Sequence, residues 1–267
     1  MTADSSRSPM DDRLAGIRRA AARHGLNLVA AIPADRYDRA VAPASPRETF
    51  HSHSIQSTTR SIVLIGNGGG DFWRAFSDHA GRNPGWSARA NPLDDFTREV
   101  IERDVVPAAR ESGAQCQAVY PFMDGGPTLN FIELAKLAGL GGPSIIGVVV
   151  HPEYGPWLAF RAALIVDGYL DAPGAALNFD PCPGCVPRSC MAACPGEAVA
   201  FPAGWDIPKC LTHRVEVEAD CAPRCHARAG CVIGPEQRYP DEELEYHQRR
   251  ALLAMRPWYE THVRSRG

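Results

Sequence analysis

The sequence contains no apolar run long enough to cross a membrane and no concentrated block of charge. The longest apolar runs are Ile145–Val150 and Trp157–Val166, and Arg161 interrupts the second. A spanning helix needs about 20 such residues. The 28 basic and 31 acidic residues give a net charge of −3 without a basic stripe, which argues against a nucleic-acid-binding surface. The sequence therefore predicts a protein that has neither a membrane nor a nucleic acid as its partner.

The N-terminus lacks the features of an export signal. Its first residues, MTADSSRSPMDDR, are polar, and Arg18-Arg19 leads into AAARHG rather than into a hydrophobic segment. We therefore expect a cytoplasmic protein. Thiols stay reduced in that compartment, where clustered cysteines more often bind metal than each other.

Cysteine, in contrast, is concentrated in one stretch that ends at Cys231. Eight of the nine cysteines lie there: Cys182, Cys185, Cys190, Cys194, Cys210, Cys221, Cys225 and Cys231. The first four lie in a tight run, DPCPGCVPRSCMAACP, that closes in Cys-Pro. Such a run supplies three thiolates from one short loop, while the fourth cysteine commonly reaches a second cluster and the proline turns the chain outward. The pattern predicts that these cysteines bind iron–sulfur clusters of the [4Fe–4S] type.

Three other interpretations of the cysteines remain open. Cys182-x2-Cys185 is a legitimate zinc knuckle, and two tetrahedral thiolate sites would also use eight ligands. The Cys194-Pro195 ending and the three-residue step before it are instead typical of ferredoxins. A disulfide framework fits poorly because so many crowded cysteines would have to avoid mispairing. The third alternative is a structural segment that has lost its metal.

Three further residues are of a type that can bind metal but also have ordinary structural roles. His213 and His226 lie near the cysteines, where they would be possible nitrogen ligands or solvated loop histidines. Cys116 lies in a predicted strand at a spacing unrelated to the cysteine run. We expect it to be a small buried hydrophobic residue.

The predicted fold class is α+β. Hydrophobic periodicity indicates an α/β-like N-terminal domain of mixed sheet and helices, and the cysteine run indicates a small loop-rich ferredoxin-like 4Fe-4S module. The predicted helices cover residues 11–24, 92–113, 128–138 and 241–255. The predicted strands cover residues 26–33, 61–65, 114–122, 145–150 and 157–167, with the last two forming an antiparallel hairpin. Residues 35–58 show no periodicity and are predicted as loop. The domains are therefore predicted as 1–176, 177–240 and a C-terminal helical segment, 241–267, that packs on the main domain.

A family resemblance is carried by the cysteine run and by three upstream segments. DPCPGCVPRSCMAACPGEAV, followed by Asp206 and Cys210, resembles the C-terminal ferredoxin module of epoxyqueuosine reductases and the related reductive dehalogenases. Those chains carry a CxxCxxCxxxCP run, a lone cysteine after an aspartate, and a second cysteine group. Three upstream segments occur in the same order as three motifs of the reductases. These segments are Asp124-Gly-Gly-Pro, AGLG and HPEYGPW, and the reductase motifs are Asp-x-x-Pro, AGLGWIGKN and P-x-YG-x-W. The resemblance covers residues 120–231.

This resemblance implies two interleaved clusters and a cobalamin. One cluster would be held by Cys182, Cys185, Cys190 and Cys231, and the other by Cys194, Cys210, Cys221 and Cys225. The cobalamin would bind in the N-terminal domain, and Asp124 matches the position of the proton donor. Reductive removal of a hydroxyl needs two electrons and a proton from a positioned acid. Local rules explain Asp124 equally well as a turn residue before Gly-Gly-Pro.

The sequence departs from the family pattern at two places. Four residues separate Cys185 from Cys190 instead of two, and no proline follows Cys231, which leaves one cluster and two clusters both open. Residues 142–146 read GPSII where the reductases have Trp-Ile-Gly-Lys-Asn, so isoleucines replace the polar Lys and Asn. The contacts that the family makes through these two side chains are therefore not expected here.

The prediction is an iron–sulfur protein that transfers electrons through one or two [4Fe–4S] clusters to or from a redox partner protein or a small-molecule substrate. The first alternative is a cobalamin-dependent oxidoreductase that uses Asp124 as its acid. The second is a structural or interaction protein whose cysteine segment is stapled by a metal.

Overall fold

A computed structural model describes residues 9–41, 51–110, 114–122, 128–170, 178–217 and 221–264 of the chain. The described chain is a mixture of helices and strands and divides into two compact units. One unit lies within residues 1–140 and 159–178, and the other within residues 141–158 and 179–267. The predicted boundaries placed residues 141–158 in the first domain, whereas the structure groups them with the cysteine-rich segment. Ile145 accounts for this grouping, because it packs in one apolar cluster with Val199 and Ala227.

The first unit contains a four-stranded sheet of order β1-β2-β4-β3. Its strands are β1 (Leu28–Pro33), β2 (Ser61–Gly68), β3 (Cys116–Val119) and β4 (Leu158–Val166). Strands β1 and β2 pair antiparallel with Leu28 opposite Gly66, and β3 and β4 pair antiparallel with Cys116 opposite Val166. Every residue of β2 is buried, which explains why its first half contains the apolar run Ile62–Ile65 rather than an alternating pattern. The strands predicted at these four places are confirmed.

Seven α-helices of the first unit have described bounds. They are α1 (Pro9–Ala22), α2 (Ala34–Val41), α3 (Ser52–Ile55), α4 (Asp71–Arg82), α5 (Pro92–Val100), α6 (Val106–Arg110) and α7 (Phe131–Leu137). A π-helical turn, Ile101–Val105, joins α5 to α6. Pro107 has no N–H to donate to a carbonyl one turn earlier, and the wider turn accommodates this loss. The helix predicted over residues 92–113 is therefore confirmed from Pro92 to Arg110, with a local irregularity, and its last three residues lie outside the described residues.

The loop predicted over residues 35–58 is wrong where the structure describes it, because α2 and α3 lie there. Helix α2 is short and buries Tyr37, whose hydroxyl oxygen accepts a hydrogen bond from the Asn130 amide at 2.8 Å. Asp38 accepts hydrogen bonds from the Ser52 amide at 2.7 Å and the Ser52 hydroxyl at 3.0 Å, and His53 also contacts its carboxylate. The many Arg, Ser and Pro residues of this segment made the short amphipathic helix α2 hard to recognise from the sequence.

The strand predicted over residues 145–150, and with it the hairpin to residues 157–167, is also wrong. The structure has only isolated bridges there, between Gly142 and Val150 and between His151 and Gly155. Gly147 adopts a φ of 77°, which interrupts extended backbone. A short apolar run cannot by itself distinguish a strand from a buried loop.

The second unit is built mostly from loops and short elements. They are α8 (Ser189–Ala193), the hairpin β5 (Val199–Ala200) and β6 (Gly204–Trp205), α9 (Ile207–Glu216), a one-turn helix (His226–Ala229) and the C-terminal helix (Asp241–His262). The C-terminal helix packs on α9, where the Arg214 guanidinium donates to the Gln248 carbonyl at 2.7 Å. In the part of the chain that the structure describes, no helix is long and apolar enough to span a bilayer.

Candidate metal centre

The eight clustered cysteines line two cavities of the second unit, four in each. The first cavity is lined by Cys182, Cys185, Cys190 and Cys231. The second is lined by Cys194, Cys210, Cys221 and Cys225. These sets mix cysteines that are distant in sequence, and they are the two sets that the family resemblance implies.

Helix α8 directs two neighbouring cysteines into different cavities. Cys190 lies inside the helix, whereas Cys194 follows its last residue with an extended backbone at ψ 107°. The Cys194 amide still donates to the Met191 carbonyl at 3.2 Å, and its sulfur accepts from the Ala198 amide at 3.4 Å. The change from helical to extended backbone separates the two thiols and leaves Cys194 for the second cavity.

A close contact at Gly230 brings Cys231 to the first cavity. An added Cβ at Gly230 would lie 2.9 Å from the Ser189 carbonyl oxygen and 3.1 Å from the Cys190 Cα. The absence of a side chain therefore lets the end of the helix His226–Ala229 approach α8. The residue after this glycine is Cys231, which joins the thiols contributed by residues 182–190.

The second cavity takes thiols from the beginnings of two helices. Asp206 caps α9, its carboxylate accepting from the Lys209 amide at 2.9 Å, and Cys210 lies within the first helical turns. Cys225 caps the helix His226–Ala229, and its sulfur accepts from the Arg228 amide at 3.5 Å. An N–H group directed at a sulfur stabilises the thiolate, which is the form that binds metal.

Burial raises the pKa of the Cys190, Cys210 and Cys231 thiols above the usual value for cysteine. Neighbouring thiols of the same cavity raise it further. Hydrogen bonds oppose this effect, from the Met191 amide to Cys190 and from the Trp205 side chain to Cys210, and the Arg214 charge also lowers the pKa of Cys210. Buried neutral thiols beside further thiols can become thiolates only when a cation compensates their charge, and a bound metal supplies that charge.

The two cavities differ in size and have one lining residue in common. The first measures about 30 Å³ and the second about 210 Å³. The first has room for about one water molecule, so an eight-atom cluster core would require its lining side chains to move apart. Ile146 lines both cavities, and an apolar cluster of Ile145, Val199 and Ala227 packs against cysteines of both sets. The donor sets suit two clusters, and the second cavity is the better fit.

Among the described residues, no three His, Cys, Asp or Glu side chains are arranged to hold a single metal ion. A [4Fe–4S] cluster makes a different demand, because its four thiolates bind four iron atoms rather than one. His213 and His226 both line the second cavity. Cys116 is buried in β3, where burial raises its pKa to about 11. Asp124, the predicted proton donor, lies outside the described residues.

Sequence reasoning missed the residues that surround the thiols. Arg214, Arg224, Arg228 and Trp205 line the second cavity together with its thiols. Isolated arginines and a tryptophan carry no spacing signal of their own. The GPSII segment gave one hint, because it replaces polar family residues by isoleucines, and the structure places Ile146 against both cavities.

No protein-family model matches the sequence, and no curated protein matches it. Solved structures are similar to it. An epoxyqueuosine reductase from Streptococcus thermophilus is 13% identical with a TM-score of 0.50, and the match covers 84% of this chain and 66% of that one. The C. elegans B12-trafficking protein CblC is 16% identical with a TM-score of 0.55, covering 94% and 98%. A reductive dehalogenase whose structure suggests a B12-dependent mechanism is 17% identical with a TM-score of 0.54, covering 95% and 37%.

These similarities establish a reductase-like fold. The chain spans 66% of the epoxyqueuosine reductase, 37% of the dehalogenase and nearly all of the trafficking protein. At such low identity, shared architecture does not transfer an activity, because function depends on the residues of a site.

Proposed function

We propose that this protein transfers electrons through [4Fe–4S] clusters held by its eight clustered cysteines. The observation that carries the proposal is the division of these cysteines into two cavities with four thiols each. Four thiolates are the ligand set of such a cluster, and a bound cluster gains or loses one electron at a time. A cytoplasmic location and a redox partner protein or small-molecule substrate belong to the same proposal.

The surroundings of the thiols support this proposal. Apart from α9 and the C-terminal helix, the second unit has only very short regular elements. Metal–thiolate bonds would add stability that its small apolar clusters do not supply. Backbone N–H groups reach the sulfurs of Cys194 and Cys225. Such hydrogen bonds are among the factors that set cluster potentials.

Iron and acid-labile sulfide, measured per chain in protein purified without oxygen, test the proposal. Two clusters give about eight of each and one cluster gives about four. One cluster would be assigned to the second cavity, which is the larger. A properly folded protein that is colourless and free of iron would contradict the proposal. Stoichiometric zinc in its place would favour the alternative of a metal-stapled structural protein.

A second candidate is a cobalamin-dependent reductase, and the fold comparison favours it. Two of the similar structures are reductive enzymes and one is a B12-trafficking protein. Asp124 would be the proton donor and the cysteine clusters the source of electrons. Titration with cob(II)alamin, followed by its absorbance spectrum, separates an enzyme from an electron carrier. A carrier leaves the spectrum unchanged, whereas an Asp124→Asn variant of the enzyme would keep binding and lose turnover.

A further inference from the structure

The second thiol cavity is lined by cationic side chains. Arg214, Arg224 and Arg228 contribute to its wall, and no carboxylate is among the described residues that line it. The first cavity has a single arginine, Arg188. The two sets of thiols therefore have different electrostatic surroundings, although their ligand chemistry is the same.

Arg214 is the best placed of the three cations. Only 7% of its surface is exposed, and its Nη2 group donates to the Gln248 carbonyl at 2.7 Å. Its Nε atom is buried and has no hydrogen-bond partner among the described residues. A charge held at a buried site is screened by solvent and salt much less than an exposed one.

The side chain of Arg228 is fixed by a second set of contacts. Its Nε donates to the Pro156 carbonyl at 3.0 Å, and its guanidinium lies 4.9 Å from the centre of the Trp157 ring. Its backbone amide donates to the sulfur of Cys225. Arg228 thus contributes an N–H group to the sulfur of Cys225, and its guanidinium is held in a fixed position by Pro156 and Trp157.

A cluster with four thiolates is anionic, and reduction adds one more negative charge. Positive charges and N–H donors beside it stabilise the reduced form more than the oxidised form, which raises the reduction potential. On the basis of the proposed function, we infer that Arg214, with Arg224 and Arg228, makes the cluster of the second cavity the more readily reduced of the two. An electron supplied by a one-electron donor of low potential therefore resides on that cluster, and no proton or bond change is required.

The test is an oxygen-free redox titration with dithionite, followed by electron paramagnetic resonance, on the full chain. Arg214→Gln should lower the equilibrium constant for reduction of the cluster behind one signal about tenfold, which corresponds to a potential about 59 mV lower for a one-electron couple. The affected signal should be the one that Cys210→Ser removes. Arg214→Lys keeps the charge and should restore most of the potential. Arg249→Gln, which removes an exposed arginine paired with Glu245, is the matched control and should have no effect.

Arg224→Gln provides a second variant in case Arg214→Gln misfolds. Arg224 is exposed, so its shift should have the same sign and a smaller size. Unchanged potentials in both neutral variants, with iron and sulfide content intact, would overturn the inference and leave the proposed function standing. An equal shift in Arg214→Lys would overturn it too, because that result assigns the effect to packing. If no cluster signal exists at all, the proposed function fails together with the inference.

Discussion

Pairs of cysteine substitutions can test how the thiols are grouped. A grouping by sequence neighbourhood would place Cys225 and Cys231 in one cluster. The structure places them in different cavities, with Cys231 beside Cys190. Five variants therefore test the grouping: the pairs Cys190→Ser/Cys231→Ser and Cys225→Ser/Cys231→Ser, and the three single changes from which they are built.

The expected iron contents follow from four thiolates per cluster. From a starting content of about eight irons, each single change should leave about four. The pair Cys190→Ser/Cys231→Ser should also leave about four, because both thiols serve one cluster. The pair Cys225→Ser/Cys231→Ser should leave close to none. Iron and acid-labile sulfide are measured in protein purified without oxygen, and far-ultraviolet circular dichroism checks that each variant is folded.

The diagnostic quantity is the additivity of the losses, which does not require that every single change removes a whole cluster. Additive loss in Cys190→Ser/Cys231→Ser, combined with no extra loss in Cys225→Ser/Cys231→Ser, would refute the grouping read from the cavities. Cys116→Ala is the control, since Cys116 is buried in β3. It should leave the iron content unchanged.

Two further predictions concern stability. Gly147→Val places a Cβ 2.4 Å from the Trp205 ring at a φ of 77°, so it should lower the free energy of unfolding by about 1–3 kcal/mol in urea titrations. The control is Gly81→Ala, whose added Cβ meets nothing within 4 Å and which should be neutral or stabilising. Equal destabilisation by both changes would contradict the packing argument. The Arg103 guanidinium holds the pKa of the Asp104 carboxyl below its usual range. Asp104→Asn should therefore lower the free energy of unfolding by about 1 kcal/mol or less at neutral pH. This difference in stability should be present above about pH 4 and should disappear as the pH falls through the lowered pKa. A difference that persists at low pH would show that the charge is not its cause.

Elements with strong local patterns could be predicted from the sequence. The long helix that begins at Pro92 has apolar residues at helical spacing and acidic residues in its first turn, and the structure contains it. Strand β2 contains the apolar run Ile62–Ile65, and all of its residues are buried. Local sequence patterns failed to predict segments whose buried residues do not recur at a regular spacing. Helix α2 is too short to show one, and the apolar run that begins at Ile145 lines a cavity instead of joining a sheet.

The candidate site divides in the same way. The number and spacing of the cysteines predicted an iron–sulfur site, and this prediction did not require knowledge of the fold. The arginines and the tryptophan that line the second cavity belong to elements that meet only after folding. They carry no recognisable local pattern, so sequence reasoning could not select them from the other arginines and tryptophans.

The sequence by itself determined the chemistry available to this protein, because thiol donors in short loops are a property of composition and spacing. Tertiary structure decided which thiols meet. Cys194 leaves its neighbour Cys190 where helical backbone becomes extended, and Cys231 joins Cys190 where Gly230 allows two helices to approach closely. The family resemblance implied the same sets, but the contacts that bring them together join segments far apart in the chain and are visible only in the folded structure.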